Sequence, residues 1–80
     1  MFCWPSGKVL ADLILRNRNL VKGKRVLDFG SGSGVVAIAS VIAGASHVIA
    51  CDIDLMAQVA IKANAELNRI DKLEVIGDYQ

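Results

Sequence analysis

The sequence predicts an α/β fold in which a small parallel sheet is doubly wound with helices. The first observation behind this prediction is an alternation along the chain, where short apolar runs typical of strands are separated by segments with helical spacing of apolar residues. The second is the glycine-rich turn GSGSG between an apolar strand and a helix. Strands joined by single helices are connected by right-handed crossovers and run parallel in one sheet, so we expect about three strands and about three helices.

Three segments carry the periodicity of amphipathic or buried helices. The first covers residues 6–16, where Ser6 is placed to cap the N-terminus. The second covers residues 35–43, and its length is about half of what a membrane span needs, so we expect a buried helix. The third covers residues 55–69, and Asp54 directly before it is suited to cap it. These helices would supply the crossovers of the sheet.

The predicted strands are RVLDF at residues 25–29, HVIAC at residues 47–51 and KLEVI at residues 72–76. Each is a short run rich in β-branched or other apolar residues, bounded by turn residues. In HVIAC the apolar residues are consecutive rather than alternating, which is typical of a strand buried on both faces. We therefore expect the middle of the sheet to require cover from both sides.

Composition excludes several classes of function. The chain has 80 residues, of which 54% are hydrophobic and 21% charged, so it is globular but small for a nucleotide-binding α/β domain. The net charge of +1 gives no electrostatic argument for binding nucleic acid or a membrane surface.

Cysteine usage and the first residues indicate a compartment. Cys3 and Cys51 show neither metal-ligand nor redox-pair spacing, so we predict free thiols in a reducing, cytoplasmic setting and no metal site. The segment MFCWPSGKVL lacks the basic and apolar regions of a signal peptide, and we expect none.

The glycine turn lies at the carboxyl end of the first predicted strand, where Rossmann-like sheets bind nucleotides. Gly30, Gly32 and Gly34 suit a sharp turn through positive φ, and the absence of side chains lets a ligand approach the backbone. The helix that follows presents unpaired N–H groups at its N-terminus. The sequence therefore predicts a nucleotide-derived ligand at this turn.

Two ligand classes fit the motif. Read from Gly32, GSGVVA matches the dinucleotide pattern G-x-G-x-x-G/A, and Asp52 lies about where the ribose-binding acid of that pattern belongs. However, the glycines also repeat at every second position, and Asp28 stands two residues before the first of them. A carboxylate at the end of a buried strand needs donors or a cation. The ammonium and sulfonium end of S-adenosylmethionine is a better neighbour for it than a pyrophosphate.

The chain resembles the class I S-adenosylmethionine-dependent methyltransferases, whose first motif has the form VLDFGSGSG and whose second strand ends in an acid, as VIACDID does. It is most similar to the protein-lysine methyltransferases that modify the β subunit of electron-transfer flavoprotein, and to related ribosomal-protein methyltransferases. In that branch a W-P-x-G segment matches residues 4–7, and an A-x-x-N-A-x-x-N helix loosely matches residues 60–68. The resemblance covers nearly the whole chain.

This resemblance implies a site for S-adenosylmethionine at the carboxyl edge of the sheet. The positions that it assigns to the cofactor are Trp4, Asp28, Gly30, Ser31, Gly32, Gly34, Asp52, Ile53 and Asp78. The glycine turn would pass beneath the methionine and ribose parts, and Asp28 would bind the methionine end or brace the loop. Asp52 would accept both ribose hydroxyls or, in the simpler alternative, be a strand-end carboxylate that only caps the turn.

Three other assignments keep a simpler structural alternative. Trp4 would cover the cofactor near its methionine part, or act as a hydrophobic staple beside the first helix. Asp78 would reach the adenine amino group, or be a solvated aspartate near the chain end. Asp54 is interpreted as a helix cap rather than as a ligand.

Members of the resembled class have seven strands, and their substrate-side residues follow the fourth. Residues 1–80 would then be an incomplete S-adenosylmethionine-binding domain, the N-terminal half of that fold, so no catalytic residue is assigned. We expect a full-length enzyme to methylate a protein, on lysine, whereas the isolated chain would be inactive and prone to self-association through its uncovered first strand. The alternatives are a fragment of an NAD(P)- or FAD-binding oxidoreductase and an inactive truncated fragment.

Overall fold

The computed structural model describes residues 7–30, 32 and 34–77, and it contains the elements that the sequence predicts. Its helices are α1 (Gly7–Arg16), α2 (Val35–Ile42) and α3 (Leu55–Leu67), and a short 3-10 turn at Arg18–Leu20 follows α1. Its strands are β1 (Arg25–Phe29), β2 (His47–Cys51) and β3 (Leu73–Ile76). The predicted cap at Ser6 lies outside the described residues.

The three strands form one parallel sheet in the order β1-β2-β3. Val26 pairs in register with Val48, which in turn pairs with Leu73. The parallel pairing confirms the predicted α/β class, in which each crossover between neighbouring strands is made by one helix. All three strands therefore end at the same edge of the sheet, which we call the carboxyl edge.

One face of the sheet carries the hydrophobic core, and we call it the covered face. Its residues come from matching register positions of the strands: Val26, Asp28, Val48, Ala50, Leu73 and Val75. The buried cluster joins Val48 and Ala50 to Ile14 of α1, Ala37 of α2 and Ile61 of α3. Small side chains from α2 let that helix lie close to the strands. All three helices pack on this one side of the sheet.

The opposite face, which we call the open face, has no share in that core. It presents Arg25, Leu27, Phe29, His47, Ile49, Cys51, Glu74 and Ile76. Leu27 is 37% exposed and Phe29 61% exposed, while Ile49 is half-buried. The expectation that HVIAC is buried on both faces is therefore wrong for His47 and Ile49, because right-handed crossovers that advance in one direction place successive helices on the same side.

The described residues also bear on the cysteines and on membranes. Cys51 is a buried free thiol, whereas Cys3 lies outside the described residues. Within residues 7–77 as described, no helix is long and apolar enough to cross a bilayer. The same part of the chain holds no group of three metal-ligating side chains.

Candidate functional site

The glycine turn has the backbone conformation that its sequence predicts. Gly30, Gly32 and Gly34 adopt φ values of 63°, 61° and 82°, in the left-handed region that favours glycine. A Cβ atom at Gly34 would lie 3.0 Å from Cγ2 of the fully buried Ile61, whereas Gly30 and Gly32 face open space. The turn is thus packed tightly against α3 at Gly34 and left accessible at Gly32.

Asp52, the first residue after β2, is tied to the glycine turn. Its Oδ2 accepts a hydrogen bond from the Gly32 N–H at 3.0 Å, and its Oδ1 accepts one from the Asp54 N–H at 3.0 Å. These two donors, Asp54 first and Gly32 second, hold the pKa of Asp52 below its ordinary value. The side chain is therefore ionised at neutral pH and lies directly beside the accessible part of the turn.

The Asp52 carboxylate retains acceptor capacity for a ligand. An ionised carboxylate has about four lone-pair positions, and each oxygen of Asp52 receives one of the two backbone bonds. Each oxygen can therefore accept one further hydrogen bond, which matches two hydroxyl groups on neighbouring carbons. The N-terminus of α2, whose N-cap is Gly34, adds backbone N–H groups without a side-chain cap at the same edge.

Asp54 caps the N-terminus of α3, as the sequence predicts. Its Oδ1 accepts a hydrogen bond from the Met56 N–H at 2.9 Å, which caps α3. The prediction of a helix cap is therefore confirmed. Ile53, between the two aspartates, is 82% exposed and projects an apolar side chain beside Asp52.

Asp28 lies in β1 one residue before the strand ends, and it is half-buried. Its register partner is Ala50 on the covered face, so it lies on the side of the sheet that carries α2 rather than at the open face. The structure therefore brings together Gly30, Gly32, Gly34, Asp52 and Ile53, with Asp28 just below them in β1. Trp4, Ser31 and Asp78 lie outside the described residues.

Sequence reasoning missed one residue at this edge. Gln58, in the first turns of α3, donates a hydrogen bond from Nε2 to the Asp52 carbonyl at 2.8 Å. Its side chain fills the space beside Gly77, where a Cβ atom would come within 2.7 Å of Nε2. No motif marks Gln58, and only its polar character on a half-buried position of α3 distinguishes it.

Concave surfaces elsewhere on the described chain do not coincide with this edge. Depressions of about 440 Å³ and 540 Å³ lie at the end of α1 and at the end of α3. Neither includes the glycine turn or Asp52. The carboxyl edge is instead a shallow exposed surface, formed by the ends of the strands and by the beginnings of α2 and α3.

Comparisons with known proteins converge on one kind of enzyme. The family model for ribosomal protein L11 methyltransferase (PrmA) matches residues 11–79. The human electron transfer flavoprotein beta subunit lysine methyltransferase is 47% identical over 73 residues, which is 91% of this chain and 28% of that protein. The chain thus spans less than a third of the length of this curated relative.

Solved structures agree with the family match. The ribosomal protein L11 methylase of Lactobacillus delbrueckii superposes with a TM-score of 0.78 at 38% identity, covering 90% of this chain and 37% of that one. The PRMT1 enzyme-prozyme complex of Trypanosoma brucei, solved with AdoHcy, gives a TM-score of 0.77 at 31% identity, covering 88% of this chain and 22% of that one. Both solved chains extend well beyond the part that this chain matches.

Proposed function

The chain belongs to the ribosomal protein L11 methyltransferase family, and on that premise we propose that its carboxyl edge binds S-adenosylmethionine. The observation that carries the proposal is the Asp52 carboxylate, which is fixed beside Gly32 with one acceptor position left on each oxygen. The two ribose hydroxyls of the cofactor would occupy those positions. The relative solved with AdoHcy supports the choice of cofactor.

Around this contact, the glycine turn would hold the rest of the cofactor. Gly30, Ser31, Gly32 and Gly34 would let the backbone lie against the methionine and ribose parts, and Asp28 would bind the methionine end. Support comes from the open space at Gly30 and Gly32, which leaves room for a ligand. Ile53, with its exposed side chain, would pack against the adenine side of the site. Trp4 and Asp78 keep their assigned roles, over the methionine part and at the adenine amino group.

The whole protein that carries this segment would be a cytoplasmic enzyme that methylates a protein, on lysine. The relatives reported above, a lysine methyltransferase and a ribosomal protein methylase among them, support a protein acceptor. Methyl transfer depends on holding the nucleophile in line with the methyl group. Residues 1–80 would form the incomplete cofactor-binding domain, so we assign no catalytic residue, and the isolated chain would transfer no methyl group.

A dinucleotide is the second candidate, because GSGVVA fits the dinucleotide pattern and a strand-end carboxylate binds the ribose of NAD as well. The relatives reported above are methyltransferases, which favours S-adenosylmethionine over an NAD(P)- or FAD-dependent oxidoreductase. The open face favours the remaining alternative, that the isolated chain is an inactive fragment that self-associates.

The test is a nuclear magnetic resonance titration of the isotope-labelled chain with S-adenosylhomocysteine and, separately, with NAD. We expect S-adenosylhomocysteine to shift the amide signals of Gly30, Gly32 and Asp54, with smaller effects at Ala45, which lies at the opposite edge of the sheet. Shifts at the same amides with NAD and none with S-adenosylhomocysteine would replace the proposal with the dinucleotide reading.

A further inference from the structure

The Asp52 main chain is held from both sides at the point where the β2–β3 pairing ends. Its N–H donates to the Ile76 carbonyl at 3.1 Å, and its carbonyl accepts the Gln58 side chain at 2.8 Å. Together with the two bonds to its carboxylate, these contacts connect Asp52 to the glycine turn, to β3 and to α3. These four hydrogen bonds fix the position of Asp52 relative to three separate parts of the fold.

Gly77 leaves the room that the Gln58 side chain occupies in this arrangement. The Gln58 amide lies so close to the Gly77 Cα that a methyl group there would fall 2.7 Å from Nε2. The φ of Gly77 is not in the left-handed region, so the backbone conformation admits other residues, and a side chain here would meet only the flexible end of Gln58. Any larger residue would push the Gln58 amide away from the Asp52 carbonyl.

We propose that Gln58 is a positioning residue, which holds the Asp52 main chain so that the carboxylate stays aligned with the Gly32 N–H, and which couples both to Gly77 directly after β3. The effect on cofactor binding rests on the proposed function. The coupling between Gln58, Asp52 and Gly32 is a property of the chain itself and is tested without any ligand.

The first measurement is amide hydrogen exchange in the ligand-free chain. Gln58→Met keeps the length of the side chain but removes the donor, so exchange at the Gly32 and Asp54 amides should accelerate roughly three- to tenfold, as expected for the loss of one supporting hydrogen bond. The matched control is Lys62→Met, an exposed position one turn further along α3, which should leave both amides unchanged.

A second variant disturbs the hydrogen bond between Gln58 and the Asp52 carbonyl without changing either residue. Gly77→Ala should displace the Gln58 amide and accelerate exchange at the same two amides. In a Gln58→Ala background the space is free, so Gly77→Ala should have no further effect, a non-additivity that general destabilisation does not produce. Exchange at Ala45, remote from the contact, should not change in any of these variants.

Binding of S-adenosylhomocysteine provides the final readout, and Gln58→Met should weaken it roughly three- to tenfold while Lys62→Met does not. Unchanged exchange at Gly32 and Asp54 in both Gln58→Met and Gly77→Ala, or additive effects of the two sites, would overturn the positioning role. Accelerated exchange in a chain whose wild type binds no S-adenosylhomocysteine would support the coupling and refute the proposed function.

Discussion

The two faces of the sheet are formed by the same three strands, yet helices among the described residues bury only one of them. On the covered face, Val48 and Ala50 are fully buried under the three helices. On the open face, Leu27 and Phe29 of the edge strand remain exposed. An apolar strand thus indicates that a surface will be covered, but not which part of a polypeptide covers it.

The candidate site depends on the covered face. Gly34 ends the glycine turn directly against Ile61, and Ile61 belongs to the helix that Asp54 caps and that contains Gln58. The packing of α3 on the sheet thereby places the groups that orient Asp52. Damage to the covered face should therefore reach the site, whereas changes on the open face should leave it intact.

The largest effect should come from a deletion in the core. Ile61→Ala should lower the free energy of unfolding by about 2–5 kcal/mol, because it leaves a cavity under the sheet. The same deletion on the open face, Ile49→Ala, should cost less than about 1.5 kcal/mol, since a half-buried side chain leaves no closed cavity. Urea unfolding followed by circular dichroism measures both, and equal losses would show that the faces do not differ.

The next largest loss of stability should differ between two glycines of the same turn. Gly34→Ala combines a left-handed backbone with a contact of 3.0 Å to Ile61, so it should cost more than about 2 kcal/mol of stability. Gly32→Ala faces open space and should cost only the backbone strain of about 1–2 kcal/mol, while its methyl group enters the space for the ligand. Thermal unfolding with a matched binding titration distinguishes them. A Gly34→Ala variant as stable as Gly32→Ala would contradict the tight packing at α3.

Acidification should remove the stabilisation that comes from the hydrogen bonds to the Asp52 carboxylate. Because the N–H groups of Asp54 and Gly32 lower the pKa of Asp52, its contribution to stability is fully present above the ordinary value of 3.8 and is lost as the pH falls through the lower folded-state pKa. Unfolding experiments on the wild type and on Asp52→Ala should therefore differ by a constant amount near neutrality and converge in strong acid. A difference that persists in strong acid would mean that the ionised carboxylate is not the stabilising form.

The smallest change in stability should come from the edge strand. Leu27→Lys places a charge on a partly exposed position of the open face, where the long side chain can reach solvent, so it should lower the free energy of unfolding by no more than about 1 kcal/mol. It should nevertheless reduce self-association of the isolated chain, since charged residues on an edge strand oppose pairing between sheets. Light scattering coupled to size-exclusion chromatography measures this. An unchanged association state would show that copies of the chain do not contact each other through the open face at Leu27.

The elements of the fold were predictable because local chemistry determines them. Apolar periodicity indicates α1, α2 and α3, positive φ requires Gly30, Gly32 and Gly34, and the short side chain of Asp54 caps a helix within two residues of itself. Each of these features is encoded in a few consecutive positions.

The remaining features depend on residues distant in sequence. The bond between Gly32 and Asp52 joins positions twenty residues apart, and the Gln58 side chain occupies the space beside a glycine that follows another strand. Consecutive apolar residues in β2 gave no indication that one face would lack cover. The binding roles of Trp4, Ser31 and Asp78 stay predictions, since these residues lie outside the described part of the chain.

The proposed contact between Asp52 and the cofactor ribose is distinct from the role of Asp54, which caps α3. Its most direct test compares the dissociation constants of S-adenosylhomocysteine for the wild type, Asp52→Ala and Asp54→Ala, obtained from the shift of the Gly30 amide signal. Removal of hydrogen bonds to a charged group should weaken binding by Asp52→Ala roughly ten- to a hundredfold. Asp54→Ala should bind within about twofold of the wild type and lose about 1 kcal/mol of stability. Undiminished binding by Asp52→Ala, or a loss confined to Asp54→Ala, would show that Asp52 does not bind the cofactor ribose.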